Sequence, residues 1–562
     1  MFMYNNIKSI LQKRDVLIAN LIIGFYAISL FIFSQSKALS NVYWIDDDWP
    51  QHLLWLYKFH PNYFQDNDFY MMAAEAIQPW GVYIVNSILG TFFSPLFISK
   101  FFPLVTLWAV CWFSFFLMKK RFGWALAISA MVMMSNIPLE RMVGFFARAY
   151  AFPLLLAFTY FWIEEKKRSI LFVIFLSAVF YPVIFLIECF IISIDGIITL
   201  LKGKLRDNLK YYASLGVVIL FSCGVLLLKS KTINSNEFLG GFLSKEELLN
   251  RPEFGSGGRV DFQYNMNTNL PLEFPWKFYL RFPFSDYHLE TVSLLLAILT
   301  IILLLGRSSH PKLDTYILSL LITGTILFYL AQWRLPQLFL PERYIYYSYL
   351  PFMFLLVLRN ASFLQSYLNG SKLAKGLIAA TLIFATFHIK SPKNIGLYGY
   401  DNHRGLYEKI NTFKEPVLIA GPPAITSQIP TFCRQSVLFS DEAVHGIYFT
   451  NYYDYVKPRV DAFVNAYSSR EKEDLVSFIK QYKIDYLILD KGFTSSKNMW
   501  FYQPYAKILK QRTKDIGGSE LALSQISEEF IIEADWQYDL LDCNKWIFSI
   551  DSLSNSVSPS LH

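Results

Sequence analysis

Apolar segments of membrane-spanning length recur from residue 16 to residue 388, and that recurrence leaves few folds open to the chain. In hydrocarbon every backbone N–H and C=O must find its partner within the protein, so a run of about 20 mainly apolar residues reads as a transmembrane helix. Runs at 16–34, 100–118, 122–138, 149–163, 169–181, 183–200, 211–229, 288–305, 313–331, 343–358 and 372–388 predict about eleven crossings. Composition agrees, because 17% charged residues is well below the roughly 25% of soluble chains. The first run follows Lys8, Lys13 and Arg14 but precedes no small-x-small cleavage site, so it is expected to be a retained span.

Basic clusters orient these spans, since Lys and Arg in short loops favour the cytoplasmic face. They stand at Lys119, Lys120 and Arg121; at Lys166, Lys167 and Arg168; at Lys202, Lys204 and Arg206; at Arg307 and Lys312; and at Arg359, Lys372 and Lys375. If all are cytoplasmic, parity allows one crossing between residues 35 and 119. The apolar stretch 80–99, broken by Gly81, Gly90 and Pro95, then reads as an interfacial or re-entrant helix on the outer face. The N-terminus is expected inside and the C-terminus outside. Residues 35–99, 139–148, 230–287, 332–342, the Tyr181 junction and everything after 390 face out. The net charge of +7 is accounted for by this anchoring, and no nucleic-acid partner is needed.

The expected fold is therefore mainly α, with a polytopic membrane domain over 1–390 and a small extracytoplasmic α/β domain over 391–562. Strands are predicted at 416–421, 436–439 and 485–490, helices at 455–468 and 471–481, further strands near 530–536 and 546–551, and a frayed end after Asp551. The GPP at 421–423 lacks the spacing of a nucleotide loop. Cys433 and Cys543 fall in this tail and either pair or remain two separate thiols; the other cysteines lie in apolar runs without metal-ligand spacing.

Chemistry concentrates in WIDDDWPQHLLWLYKFHP at 44–61. Asp46, Asp47 and Asp48 repel one another, and placing them beside hydrocarbon calls for a cation, a bound proton or a basic partner. A helix cap near Pro50 would explain one carboxylate but not three. Asp47 and Asp48 are the foremost catalytic candidates, with Asp46 beside them and His52 one turn beyond as a binding residue. A second acidic group, Asp66, Asp68 and Glu75, adds Glu75 as a catalytic candidate at the membrane surface. Arg141, Arg148, Arg334 and Arg343 sit on the outer face, opposite to the usual basic preference, and guanidinium suits phosphate. Pairing with Glu140 or Glu342, or contact with lipid headgroups, is the plainer account. Arg259, in the glycine-bearing loop 251–265, and Tyr181 complete the candidate binding set. No organic cofactor is called for, and a divalent cation on Asp46, Asp48 and His52 is an open alternative.

At these residues the chain resembles the GT-C superfamily of multi-spanning glycosyltransferases, in particular bacterial members with a soluble C-terminal domain. DDDW at 46–49 takes the place of the acidic motif in their first extracytoplasmic loop; IPTFCRQSVLFSDE at 429–442 and QYKIDYLILD at 481–490 resemble parts of their tails. The resemblance implies a polyprenyl-phosphate sugar donor, a glycan or lipid acceptor, a bacterial inner-membrane location and transfer with inversion. Phosphate would rest on Arg148, Arg334 or Arg343 while Asp47 or Asp48 takes a proton from the acceptor. The acceptor-reading WWD motif of oligosaccharyltransferases is absent from the sequence, which argues against an asparagine acceptor. Two alternatives stand beside this reading: a transporter or flippase of a lipid-linked substrate, to which the buried Glu188 would belong, and a noncatalytic assembly protein of envelope glycan synthesis.

Overall fold

The computed structural model describes residues 2–204, 206–262, 310–338, 340–367, 371–389, 395–493, 501–515 and 521–556. Helices stand where the apolar runs predicted them: α1 (Phe2–Ser40), α6 (Pro103–Asn136), α7 (Ala151–Ile163), α8 (Lys167–Phe180), α9 (Pro182–Leu201), α10 (Leu209–Asn234), and then Pro311–Trp333, Glu342–Tyr367 and Lys372–Ile389. The run expected at 288–305 lies outside the described residues. The runs at 100–118 and 122–138 share α6, which breaks at Gly123, where φ is +80° and the backbone needs a residue without a Cβ. Among the described residues five segments are long and apolar enough to cross a membrane, Lys13–Ser40, Pro95–Asn136, Pro182–Leu201, Arg206–Asn234 and Pro311–Trp333, and the chain is a polytopic membrane protein. On α1 the stripe Ala19, Ile23, Ala27 and Leu30 packs into the bundle, whereas Leu21, Phe25, Ile28 and Ile32 face outward as lipid-facing residues do.

Ion pairs tie one end of this bundle together. Lys119 meets Asp15 at 2.6 Å, Lys120 and Arg121 each reach Glu164 at 2.7 Å, Arg359 meets Asp314 at 3.3 Å, and Lys312 pairs with Glu165. The basic clusters at 119–121, 312 and 359 therefore share an end, as parity required. With Asp15 and Lys119 in contact, the stretch 80–99 adds no crossing. It forms two short helices, α4 (Trp80–Gly90) and α5 (Pro95–Phe101), which follow the short helices α2 (Trp49–His52) and α3 (Phe69–Ala76). Eleven residues of helix reach only about 17 Å, too little for a bilayer.

The other end carries the sheets. β1 (Trp44–Ile45) pairs antiparallel with β2 (Tyr398–Gly399). Beyond it β3 (Leu418–Ala420), β4 (Ser436–Val437), β5 (Tyr486–Asp490), β6 (Ile531–Glu533) and β7 (Tyr538–Asp542) form one sheet in the order β4-β3-β5-β7-β6. β3 runs parallel to β4 and β5, and β7 antiparallel to β5 and β6. The helices Thr450–Tyr467 and Lys472–Tyr482 make the crossover from β4 to β5, which run in the same direction on either side of β3.

One expectation is corrected here. Residues 546–551 are not a strand but part of the helix Cys543–Ser556, and β7 lies just before it. The Asp542 carboxylate accepts the Lys545 N–H at 3.1 Å, capping a helix whose Trp546, Ile547 and Ile550 form an apolar stripe at helical spacing. This helix carries the chain past Asp551 to Ser556, so the start of the expected frayed end is ordered. Cys433 and Cys543 are separate buried thiols.

The sheet does not stand apart from the membrane-side loops. Trp49, Trp55, Tyr57 and Tyr70 share a core with Tyr407, Ile429, Leu438 and Tyr448 of the tail. Phe69 stacks on Tyr455 at 3.6 Å, and the Tyr57 and Tyr70 hydroxyls donate to the Thr431 and Leu438 carbonyls at 2.6 and 2.8 Å. Asp68 caps the helix Phe69–Ala76 through the Met71 N–H (2.9 Å) and accepts from the Ser436 hydroxyl (2.6 Å), so it is a structural carboxylate.

Candidate active site

The three aspartates are placed by the way α1 ends. The Lys100 ammonium of α5, itself buried, donates to the carbonyls of Ala38 and Asn41 at 2.8 Å and of Val42 at 3.1 Å, which satisfies the helix C-terminus with a cation. The chain then enters β1. Gly399 on the partner strand lies so close that a Cβ there would come within 2.6 Å of the Trp44 indole. Asp46 follows directly.

Asp48 occupies the N-cap of the short helix Trp49–His52, yet its side chain makes no capping hydrogen bond. Its backbone N–H is instead held by Asp46 Oδ1 at 3.0 Å and Asp47 Oδ1 at 3.1 Å. The compensating charge is Arg148. Its Nη2 donates to both oxygens of Asp46, at 2.8 and 2.7 Å, and its Nη1 donates to Asp48 Oδ2. Asp46 is 2% exposed, and a planar fork is the geometry that lets guanidinium neutralise a carboxylate so far from water.

Asp47 is the exception, being half-buried with no ion pair among the described residues. Burial, then the neighbouring Asp48, push its carboxyl above the usual range, with Arg148 opposing. The three carboxylates present oxygens within 4.8 Å of one another, so a hard divalent cation could be held there, sharing Asp46 and Asp48 with Arg148. His52 is not part of that group. Its ring lies 5.0 Å from Phe146, and burial lowers its pKa to about 4 against the pull of Asp48, so the imidazole is neutral.

Two more arginines stand near. Arg141 lies over the Tyr346 ring at 5.0 Å, with its buried Nε 3.9 Å from Glu140 and without a hydrogen bond among the described residues; Arg148 Nε likewise makes no hydrogen bond among them. Arg343 Nη1 donates to the Tyr181 hydroxyl at 3.4 Å, which donates to the Tyr347 hydroxyl at 3.3 Å. Arg141 is within electrostatic reach of Arg148 and Arg343, and His52 of Arg148 and Arg343. Arg141, Arg148, Arg343, Tyr181 and His52 thus come together. Arg334 does not join them: it is exposed, with its guanidinium over the Trp333 ring at 4.6 Å. Glu75 is also apart, in an ion pair with Lys58 at 2.6 Å.

A carboxylate and an amide that sequence reasoning did not single out complete the site. Gln51 Nε2 donates to Asp48 Oδ1 at 3.4 Å and to Glu442 Oε2, across 391 residues of sequence. Arg259 Nη2 donates to the same Glu442 oxygen at 3.1 Å, and its Nε to the Asp441 carbonyl at 2.9 Å. Burial pushes Glu442 up to about 8, opposed by Arg259 and reinforced by Asp48. The adjacent acids after a strand were the one signal for this pair. In the glycine-bearing loop, Gly258 permits a close approach to the Glu253 carbonyl, which a Cβ would meet at 2.2 Å; residues 263–265 lie outside the described residues.

No protein-family model and no curated protein matches this sequence. Among solved structures, an Archaeoglobus fulgidus oligosaccharyltransferase in complex with Zn and sulfate matches with a TM-score of 0.50 and 12% identity, over 85% of this chain and 68% of that one. The oligosaccharyltransferase AglB from the same organism, in complex with an inhibitory peptide and a dolichol-phosphate, gives 0.48 and 13%, over 86% and 70%. ArnT from Cupriavidus metallidurans in the apo state gives 0.39 and 11%, over 93% and 97%. At 12% identity the first match is a likeness of fold alone.

Proposed function

We propose that this chain is a membrane glycosyltransferase that moves a sugar from a polyprenyl-phosphate donor to an extracytoplasmic hydroxyl acceptor. The observation that carries the reading is the division of labour within the cluster. Arg148 neutralises Asp46 and Asp48, while Asp47, beside them, keeps a carboxylate with no ion pair and a raised proton affinity. The acceptor O–H gives its proton to Asp47 as its oxygen bonds to the anomeric carbon. The bond from that carbon to the phosphate oxygen breaks, and the electron pair leaves with the polyprenyl phosphate. Arg141, Arg148 and Arg343 stabilise the leaving charge, and the buried Nε groups of the first two make no hydrogen bond among the described residues. A single displacement of this kind inverts the anomeric centre.

In this reading the end of the bundle that carries Asp46, Arg148 and the five-stranded sheet faces out of a bacterial inner membrane, and the end tied by Asp15 and Lys119 faces the cytoplasm. Residues 391–562 form the extracytoplasmic domain over the site. The fold likeness to an oligosaccharyltransferase agrees with it. The transport alternative draws less support: Glu188 is fully buried and accepts from Ser177 at 2.9 Å, but no second charge joins it among the described residues.

Purified protein in detergent, offered a panel of polyprenyl-phosphate hexoses and pentoses together with decyl β-glycoside acceptors, is expected to consume at least one donor. Asp47→Asn should lower that turnover about 10²–10⁴-fold with an unchanged melting temperature, the range for loss of a general base. Equal turnover by the folded variant would remove Asp47 as the base. Absence of donor consumption by the wild type across the panel would remove the transfer reading itself.

A further inference from the structure

Between the Trp49–His52 turn and the tail lies a narrow crevice lined by Pro50, Leu54 and Tyr70 of the first loop and by Ser440 and Tyr448 of the tail, with Gln51 and Glu442 among its polar groups. Apolar and aromatic walls beside a few fixed polar groups suit the edge of a pyranose, which has an apolar face and a hydroxylated rim. We propose that this crevice is the acceptor site and that Glu442 Oε1 holds a hydroxyl next to the one that attacks. The proposal rests on the transfer reading above, and it names the acceptor class as a sugar bearing adjacent hydroxyls.

The side chain is oriented from one side only. Gln51 and Arg259 both donate to Oε2, whereas Oε1 has no hydrogen-bond partner among the described residues. A carboxylate serving only to staple the 230–262 loop to the first loop would be spent on its two donors. This one keeps an oxygen free in a side chain that is 13% exposed, neither sealed in the core nor loose in water. The amide that fixes Oε2 also reaches Asp48 Oδ1, so the crevice adjoins the aspartate cluster, and Asp47 is within electrostatic reach of Glu442. One vicinal diol then meets both carboxyl groups. One hydroxyl gives its proton to Asp47 as it attacks, and its neighbour bonds Glu442 and fixes which oxygen is presented. A carboxyl group makes that bond in either protonation state. Arg259, brought by the loop after α10, sets the rotamer and acts as a positioning residue.

The test separates transfer to an acceptor from transfer to water. Donor consumption is measured with the wild type, Glu442→Gln and Glu442→Asp, without acceptor and with decyl β-glycosides of glucose, galactose and xylose, each also as its monodeoxy analogues. Glu442→Gln is expected to lower kcat/KM for the best glycoside about 10–100-fold, the range for a hydrogen bond to an ionisable group, and to lower it by more than it lowers acceptor-free donor hydrolysis. One monodeoxy analogue should lose a similar factor with the wild type and lose nothing further with Glu442→Gln. A structural role cannot produce that non-additivity. The inference is overturned if glycoside transfer is indifferent to Glu442, or if every deoxy analogue loses as much in the variant as in the wild type. Should Glu442→Gln not fold, Glu442→Asp, which keeps the carboxyl group but shortens its reach, carries the same comparison. If the wild type consumes no donor, the transfer reading fails first, and that result is distinct from a donor-consuming enzyme that ignores Glu442.

Discussion

At the scale of single residues, Arg148 converts a run of three repelling carboxylates into a stable feature. Asp46 is almost wholly removed from water, and both of its oxygens rest on one guanidinium. Removing that guanidinium leaves a buried charge without a partner. Arg148→Ala is accordingly expected to destabilise the protein by about 3–5 kcal/mol, measured by thermal or denaturant unfolding in detergent. Adding Asp46→Asn to Arg148→Ala should recover part of that loss, because a neutral amide tolerates the site better; no recovery would mean that Arg148 acts through some other contact. The sequence announced that the aspartates needed compensation, and Arg148 was noticeable because an arginine there faces the wrong side for an anchor. The partnership itself was not legible, nor were Gln51 and Glu442, since neither residue type nor spacing tells which of several outer-face groups will meet.

Among elements, the long helices were readable and the short strands were not. Hydropathy over some 20 residues is a strong signal, whereas β1 and β2 are two residues each and become strands only by finding each other. Their pairing presses Gly399 against the Trp44 indole and so sets the backbone that leads into Asp46. Gly399→Val is expected to separate the pair, at a cost of about 1–3 kcal/mol typical of overpacking, and to abolish donor turnover while the helical content by circular dichroism is kept. Limited proteolysis should then cut near residue 400 in the variant and not in the wild type. Retained activity with the wild-type cleavage pattern would show that the pairing does not position the cluster. The strand expected at 546–551 failed for a related reason: a short apolar segment fits either period, and the Asp542 cap, visible only with its Lys545 partner, decided for helix.

For the whole molecule, the bundle has two unlike ends. Ion pairs of Asp15, Glu164 and Asp314 with Lys119, Arg121 and Arg359 bind one. The other carries the aspartate cluster under a sheet that shares its core with the first loop. This arrangement makes the orientation testable. In a chain whose native cysteines are replaced by alanine, Ser235→Cys, beyond the end of α10, is expected to react with a membrane-impermeant maleimide in intact cells. Lys204→Cys, in the turn before α10, should react only after lysis. The reverse pattern would invert the molecule and place the site in the cytoplasm. The shared core also predicts that the tail cannot be removed without exposing Trp49, Trp55 and Tyr70, so it belongs to the site and is not an attachment.

The amino-acid sequence alone determined the class of molecule, the positions of its long apolar helices among the described residues, the shared end of Lys119 to Arg121, Lys312 and Arg359, and the place of its acidic centre. Those features follow from local quantities, namely hydropathy, charge and the repulsion of neighbouring carboxylates. Folding in three dimensions settled which aspartate is left without an ion pair, which arginines gather about it, and that the tail closes the site through Glu442. Such choices depend on contacts between residues hundreds of positions apart, whose energies arise only when burial has removed the competing water.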